Sequence, residues 1–423
     1  MKIHYRTRLN LFFIFILSVF NTSVRAQTEC SEAATMLYHA LLKTASGKIQ
    51  LKGKAARDFN TLADSVIASA DKSTSRLGCF MQLSQLMQPL RDNHLHFSEK
   101  PVQAIPVDSL QSKTWTQHYR STDHFKEFPR INLSLDSLEK QMTLERVHPW
   151  EGIYFLGNYM KLAVYKNELS DTLIAVVLES YLPQWVPGQV MAWFWPRIET
   201  GMASVYADYY NKNWNFHRNV RLINNRIPFL GWRKNFEQTD FVNISRKADL
   251  FSFKRLQQDI DYLRVGSFSA YTENRAASQL FLQKIKDSLS GKVLVIDLRN
   301  NGGGAGKVAK PFEIMLRKQA RKKNVFLLMN NATVSEAECF IIKFMGRKNI
   351  YTVGETTRGM IAFGNNRGSW VETGHYFKLY ITDMKGTKME QQLEDYGVEP
   401  SIKLNPDSDW EEQLLKVIHE KSK

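Results

Sequence analysis

Cysteine is scarce in this chain, three in 423 residues, at positions 30, 79 and 339. In an oxidising compartment an odd count leaves at least one thiol free. Cys30 and Cys79 sit in separate helix-patterned segments and are candidates for a bridge. Cys339 falls among Phe340, Ile341 and Ile342, where a buried free thiol is expected rather than a nucleophile. Long apolar runs are missing as well: nothing beyond the first 20 residues approaches the length of a membrane span. His94-x-His96 would share one strand face and suit a metal, but no third ligand follows at a recognisable spacing, so no metal is expected. The glycines at 302–304 are not followed by Gly-Lys-Ser/Thr, and no G-x-G-x-x-G starts at Gly302. That removes the usual phosphate cradles, and no cofactor is expected.

What is present begins at the N terminus. Lys2, Arg6 and Arg8 precede the apolar run Leu11–Phe20, and Val24-Arg25-Ala26 precedes Gln27. A positive start, a short apolar stretch and a small-residue exit predict a secretory signal peptide over 1–26, cleaved after Ala26. The mature chain is expected to be secreted or periplasmic, with no membrane span after cleavage. Cys30 lacks the small-residue context of lipoprotein attachment. The formal charge is +15, and although four cations lie within residues 1–26, the remainder stays strongly basic. Such a chain suits anionic surfaces or acidic peptides. Its cations are scattered except for a cluster over 317–323, expected to be the solvated face of a helix from Pro311 onward. No nucleic-acid motif accompanies them, and nucleic acid is not an expected partner.

Two strand exits carry the chemistry. Lys292-Val293-Leu294-Val295-Ile296-Asp297 reads as a buried strand that leaves its sheet through Leu298-Arg299-Asn300-Asn301-Gly302-Gly303-Gly304. Glycines there allow positive φ and let bare N–H groups approach a phosphate, a substrate strand or a developing oxyanion. Val325–Met329 is a second buried strand, and it runs through Asn330-Asn331-Ala332-Thr333-Val334-Ser335-Glu336-Ala337-Glu338 into an amphipathic helix expected over Ala337–Met345. Ser335 has two readings: an N-cap completed by Glu338 as a capping box, or a nucleophile presented on a tight turn at the positive end of a helix.

Together, Ile-Asp-Leu-Arg-Asn-Asn-Gly-Gly-Gly and Ala-Thr-Val-Ser-Glu-Ala-Glu resemble motifs of the tail-specific (C-terminal processing) and tricorn-core serine peptidases. Val353-Gly354-Glu355-Thr356-Thr357-Arg358-Gly359 and Leu393-Glu394-Asp395-Tyr396-Gly397-Val398-Glu399-Pro400 follow in the family's order. One branch of that family activates its serine with a lysine after Thr-x-Gly. Here that position is Met360, whose thioether accepts no proton. The resemblance therefore implies the tricorn-like branch, with Ser335 as nucleophile, His94 as general base, His96 in reserve, and Glu394 orienting the relay directly or through a hydroxyl or water. A neutral imidazole near pKa 6.5 suits this work and predicts a rate rising through about pH 6–7. N–H groups of Gly302, Gly303, Gly304 and Glu336 are the candidate oxyanion donors. Arg299 and Arg358 flank the site, either as salt-bridge partners or as ligands for a substrate carboxylate. The expected activity is endopeptidase cleavage of a peptide or protein through an acyl-enzyme. A non-catalytic binding protein on the same fold and a small-acyl esterase stay open, as does the oligomeric state.

Pattern changes divide the chain into a helical region over 27–97, a polar linker over 98–145, an antiparallel β domain over 146–245, and an α/β peptidase core over 246–423. Apolar 3–4 spacing marks the first. Pro101, Pro106 and Pro129 mark the second. Short Tyr-, Trp- and Val-rich runs such as Met160–Tyr165, Leu173–Leu178 and Gln189–Phe194 mark the third, an antiparallel sheet or small barrel. Strand–helix alternation from Tyr262 onward gives the core an α/β class, for which the resemblance implies repeated, crotonase-like ββα units. The carboxylate-binding loop of the PDZ domain usual in processing proteases is not found.

Overall fold

The computed structural model describes residues 29–70, 72–73, 75–102, 105, 112–144, 148–167, 170–196, 201–237, 239–366 and 368–421. The expected signal peptide lies outside them. Every residue of the strand Val293–Asp297 is buried, because both its faces are covered. Leu294 and Ile296 face one cluster with Phe312, Leu316, Phe340 and Ile341, while Val293 and Val295 face another with Trp410, Leu414 and Ile418. Asn324–Met329 divides in the same way, with Leu327 on the first side and Phe326 and Leu328 on the second. This is why both runs read as continuously apolar: a strand covered on two faces has no solvent side to make polar.

These strands lie in a six-stranded sheet ordered Phe251–Gln257, Ile260–Val265, Val293–Asp297, Asn324–Met329, Ile350–Gly354, Ile402–Lys403. Its first pair is antiparallel and the rest are parallel. Only the unit closed by the helix Thr272–Ile285 brings two strands. The units closed by Gly306–Gln319 and Glu336–Ile342 bring one each, so the repeated ββα pattern implied by resemblance is not seen here. The helix expected from Pro311 starts earlier, at Gly306, and keeps Pro311 inside it.

The largest sheet has eleven strands, all paired antiparallel, ordered Ser369–Glu372, Phe377–Ile381, His96–Glu99, Trp214–Val220, Met202–Ala207, Val190–Pro196, Leu173–Ser180, Met160–Lys166, Gly152–Leu156, Trp232–Arg233, Arg226–Ile227. Among the described residues its terminal strands do not pair with each other, so it is an open sheet there and not a closed barrel. It also draws strands from well outside 146–245. Helices 29–43, Lys54–Ala70 and Arg76–Ser84 pack on one face through Leu37, Phe59, Phe80 and Leu83. A disulfide joins Cys30 to Cys79. The stretch read as an irregular linker contains helices Lys113–Ser121, Asp123–Lys126 and Leu135–Leu144. Leu138 and Met142 of the last cover the opposite sheet face at Ala163, Val176 and Leu178. Its prolines hid a helical segment with few apolar residues, of which Leu138 and Met142 make that contact. Among the described residues no helix is long and apolar enough to cross a membrane.

Candidate active site

One side of the site is built from the parallel core. Beyond Met329 the turn is pinned by side chains: Asn330 donates to Asn300 Oδ1 at 2.8 Å and accepts from the Asn300 N–H at 2.9 Å, and Thr333 Oγ1 donates to the Leu298 carbonyl at 2.8 Å. The chain then enters the helix Glu336–Ile342 through Ser335, which adopts φ 58° and ψ −126°. A non-glycine residue holds such a conformation only where its surroundings enforce it. A capping box frames the helix start: Glu338 Oε2 accepts from the Ser335 N–H at 2.9 Å, and the Glu338 N–H faces back to Ser335. Its hydrogen bond, at 2.8 Å, goes to the Ser335 carbonyl, and the serine hydroxyl makes no cap hydrogen bond. Ser335 Oγ lies instead 3.0 Å from His94 Nε2, across 241 residues of sequence.

Glu338 does more than a box partner would. Fully buried, it also accepts from Thr357 Oγ1 at 2.5 Å, the Gly359 N–H at 2.7 Å and the Met360 N–H at 3.0 Å. Burial pushes its carboxyl up and these donors pull it back. Met360 serves through its backbone: its carbonyl accepts from the Ser335 N–H at 3.0 Å.

The antiparallel half supplies His94, just ahead of the strand His96–Glu99. Asp92 Oδ1 accepts from the N–H groups of His94 at 3.0 Å and Leu95 at 3.3 Å, and its Oδ2 accepts from Thr382 Oγ1 at 2.7 Å. Asn93 donates its N–H to Glu394 Oε1 at 2.7 Å, and its side-chain amide to the Gly359 carbonyl at 2.7 Å. Glu394 Oε2 accepts from the N–H groups of Ile361 at 2.8 Å and Ala362 at 2.7 Å. Glu394 thus ties the His94 segment to the core and does not touch the imidazole, because three main-chain donors occupy its oxygens. His94 Nδ1 is buried without a hydrogen-bond partner, so the directly orienting carboxylate expected of Glu394 is not in place. Burial brings His94 down to about 4. Burial, with the neighbouring Asp92 charge, raises Glu394 to about 8, and burial raises Asp92 itself to about 6. His96 is not a rival base: its Nε2 meets Asn215 Oδ1 at 2.9 Å and its ring faces Trp370.

Asp395, next to Glu394, clasps two regions at once. It pairs with Arg218 of the antiparallel sheet and with Arg91 Nε at 3.2 Å, and accepts from Asn93 Nδ2 at 3.0 Å. No spacing rule would have found Asn93 or Asp395, whose partners lie hundreds of residues away. Glu338 had a signal, the capping box, which understated it.

The glycine loop closes the site from the other edge. Gly303 has φ 81°, and a Cβ there would stand 2.7 Å from Ser335 Cβ, so only glycine permits this approach. Its N–H, however, donates to Asn301 Oδ1 at 2.9 Å and is not free for an oxyanion. The N–H groups of Gly302, Gly304 and Glu336 donate to no protein group among the described residues. Arg299 is a structural partner: it makes a bidentate pair with Asp297, with Nη2 at 2.8 Å from Oδ2, and donates to the Phe241 carbonyl at 3.1 Å. Arg358 has no such carboxylate partner. Cys339 is free and half-buried, its thiol pushed up by burial, which suits a packing role. Among the described residues no group of three His, Cys, Asp or Glu could hold a metal ion.

No family model matches the sequence, and no curated protein matches it. Several solved structures match over most of this chain, at TM-scores below 0.5. The photosystem II D1 C-terminal processing protease matches over 92% of this chain and 97% of its own, at 14% identity and a TM-score of 0.39. Mature CPAF matches over 93% and 96%, at 11% identity and a TM-score of 0.43. The tricorn protease matches over 93% of this chain but 37% of its own, at 11% identity and a TM-score of 0.42.

Proposed function

We propose that this chain is an exported serine peptidase that cleaves peptide bonds through an acyl-enzyme on Ser335, with His94 as general base. The observation carrying this reading is the 3.0 Å approach of His94 Nε2 to a serine hydroxyl that caps nothing. His94 is held neutral by burial, which leaves Nε2 free to accept the Ser335 proton while Nδ1 keeps its own. Attack by Oγ on a peptide carbonyl then places the oxyanion toward the N–H groups of Glu336 and of Gly302 or Gly304. One such donor contributes about 10²–10³ in rate. The imidazolium returns its proton to the leaving amine, and water, activated by the same imidazole, releases the acyl group. Glu394 and Asp92 act as positioning residues, holding the backbone on either side of His94. Export rests on the signal-peptide pattern over 1–26.

One observation favours a second reading, a binding protein on a peptidase fold: the buried, unpartnered His94 Nδ1 leaves the imidazolium without a carboxylate beside it. A mass-spectrometric digest of a peptide library by the chain from Gln27 separates the two, with Ser335→Ala and His94→Ala alongside. Cleavage by the parent alone supports the peptidase, and cleavage by none supports the binder.

A further inference from the structure

The cations over 317–323 play no part in the proposed chemistry, and the fold gathers more beside them. Arg317 lies in the last turn of the helix Gly306–Gln319, and Arg321 follows in the turn after it. Past the nucleophile helix the chain returns alongside through Phe344, Arg347 and Lys348, and the four cations wall one cavity of about 340 Å³. Among the described residues no acid lines it, and none of the four has a carboxylate partner. Two are held over one ring: the Arg317 and Arg347 guanidiniums stand 5.0 and 5.7 Å from the centre of Phe344, which is fully buried. Other cations on the same edge of the sheet are neutralised. Lys292 pairs with Asp259 at 2.9 Å, and Lys323 and Arg255 pair with Asp261 at 3.3 and 3.4 Å. The helix dipole favours Arg317 and Lys318 where they are, but Arg347 and Lys348 belong to no helix. Like charges gathered in one cavity repel one another until an anion joins them.

Exposed apolar side chains beside these cations point to the kind of anion. Ile314, one turn before Arg317 on the same helix face, is 60% exposed, and Met345, next to Phe344, is 36% exposed. A soluble polyanion has no use for them. The boundary between headgroups and acyl chains, by contrast, takes apolar side chains flanked by Lys and Arg. The direction of the strands adds a second argument. The cavity lies at the start of Asn324–Met329 and Ile350–Gly354, which pair in parallel, whereas Ser335 follows the far end of the first. The 5 residues of Ile350–Gly354, about 16 Å of strand, separate the two edges, so a surface bound at the cavity does not lie over Ser335.

We propose that this cavity seats the anionic headgroups of a phospholipid surface, with Ile314 and Met345 entering the interface beside it, so that the protein works at a membrane surface with Ser335 on the edge facing away. Such binding does not depend on Ser335 being a nucleophile, so vesicle binding and peptide cleavage succeed or fail separately. Cosedimentation of the chain from Gln27 would be measured with vesicles of phosphatidylcholine alone, and of phosphatidylcholine and phosphatidylglycerol in equal parts, at low and high salt. The pair Arg321→Gln with Lys348→Gln, Ile314→Ser and Lys292→Gln would run alongside, with inorganic polyphosphate as a soluble competitor. The expected result is binding only to vesicles that contain phosphatidylglycerol, lost at high salt. The double substitution should weaken it about 30-fold and Ile314→Ser about tenfold. Lys292→Gln, which removes a cation already paired on the same edge, should change it by under about twofold. All three variants should keep the parent's melting temperature and its rate on soluble peptides. Equal binding to both kinds of vesicle, or binding that the double substitution leaves intact, overturns the inference. Polyphosphate binding that the double substitution weakens and Ile314→Ser does not, without vesicle binding, assigns the cavity to a soluble polyanion and also overturns it. The vesicle and salt comparisons use the parent alone, and decide the matter even where a variant does not fold.

Discussion

The two halves of the molecule meet at Ser335 and His94 in opposite ways. The parallel core delivers the serine on one short stretch, a buried strand, a turn and a helix between Asn324 and Ile342, pinned by Leu298, Asn300 and Met360 of its own neighbouring loops. The antiparallel half delivers the histidine through long-range means. The strand after His94 pairs on one side with Phe377–Ile381 and on the other with Trp214–Val220. The segment before it is gripped some 300 positions away, by Glu394 at the Asn93 N–H and by Asp395 at the side chains of Arg91 and Asn93. A nucleophile built locally tolerates change elsewhere, whereas a base held by distant contacts depends on the docking of the two halves.

The sharpest break of this comparison is at the pair itself. Ser335→Ala should lower hydrolysis by on the order of 10³-fold or more and move the melting temperature by less than about 2 °C, because the hydroxyl caps no helix. A large thermal loss would restore the capping role. His94→Ala should match it in rate. Reducing Cys30–Cys79, which closes a 49-residue separation, should cost roughly 4 kcal/mol. The loss should fall on the antiparallel half, so peptide-resolved hydrogen exchange should show opening at 76–99 before 293–329. Uniform opening would mean the halves are not separable. Glu394→Gln turns an amide NH₂ toward main-chain donors and should cost about 2–3 kcal/mol in denaturant unfolding, with a fall in kcat as the His94 seat loosens. Unchanged stability would show that the three N–H bonds do not hold the segment.

A last set of effects comes from pH. With His94 at about 4, kcat/KM should rise through about pH 4 and not through the 6–7 expected of a solvated imidazole. A limb at 6–7 would mean the ring is wet. The stability signs oppose each other. Between pH 6.5 and about 4 the unfolded chain binds the His94 proton and the folded chain does not, so that contribution is lost as pH falls. Glu394, raised to about 8, contributes below its unfolded value near 4.5, and that contribution is lost as pH rises toward 8.

Much of the core was legible because periodicity reports burial. Val293–Asp297 and Val325–Met329 read as strands covered on both faces, and they are. The helix Leu135–Leu144 was not legible, because a polar segment with few apolar residues looks like a linker until the sheet face it covers is known. The site divided along the same line. Ser335, Gly303 and Glu338 share one neighbourhood of motifs, while the choice between His94 and His96, two residues apart on one strand entrance, carries no local signal.

Taken alone, the sequence determined which segments are buried, that a serine follows a buried strand at a helix start, and that a glycine loop without side chains stands near it. Hydrophobic periodicity and glycine freedom are local properties, and local properties can be read from a string. Only the tertiary structure decided that the hydroxyl faces His94 instead of its own helix, that Arg299 is neutralised by Asp297 while Arg358 is left without a carboxylate, and that Glu394 holds backbone instead of imidazole. Those outcomes depend on sheet pairing and on the docking of two halves, and the partners of a buried polar group are set by what the fold brings within 3 Å.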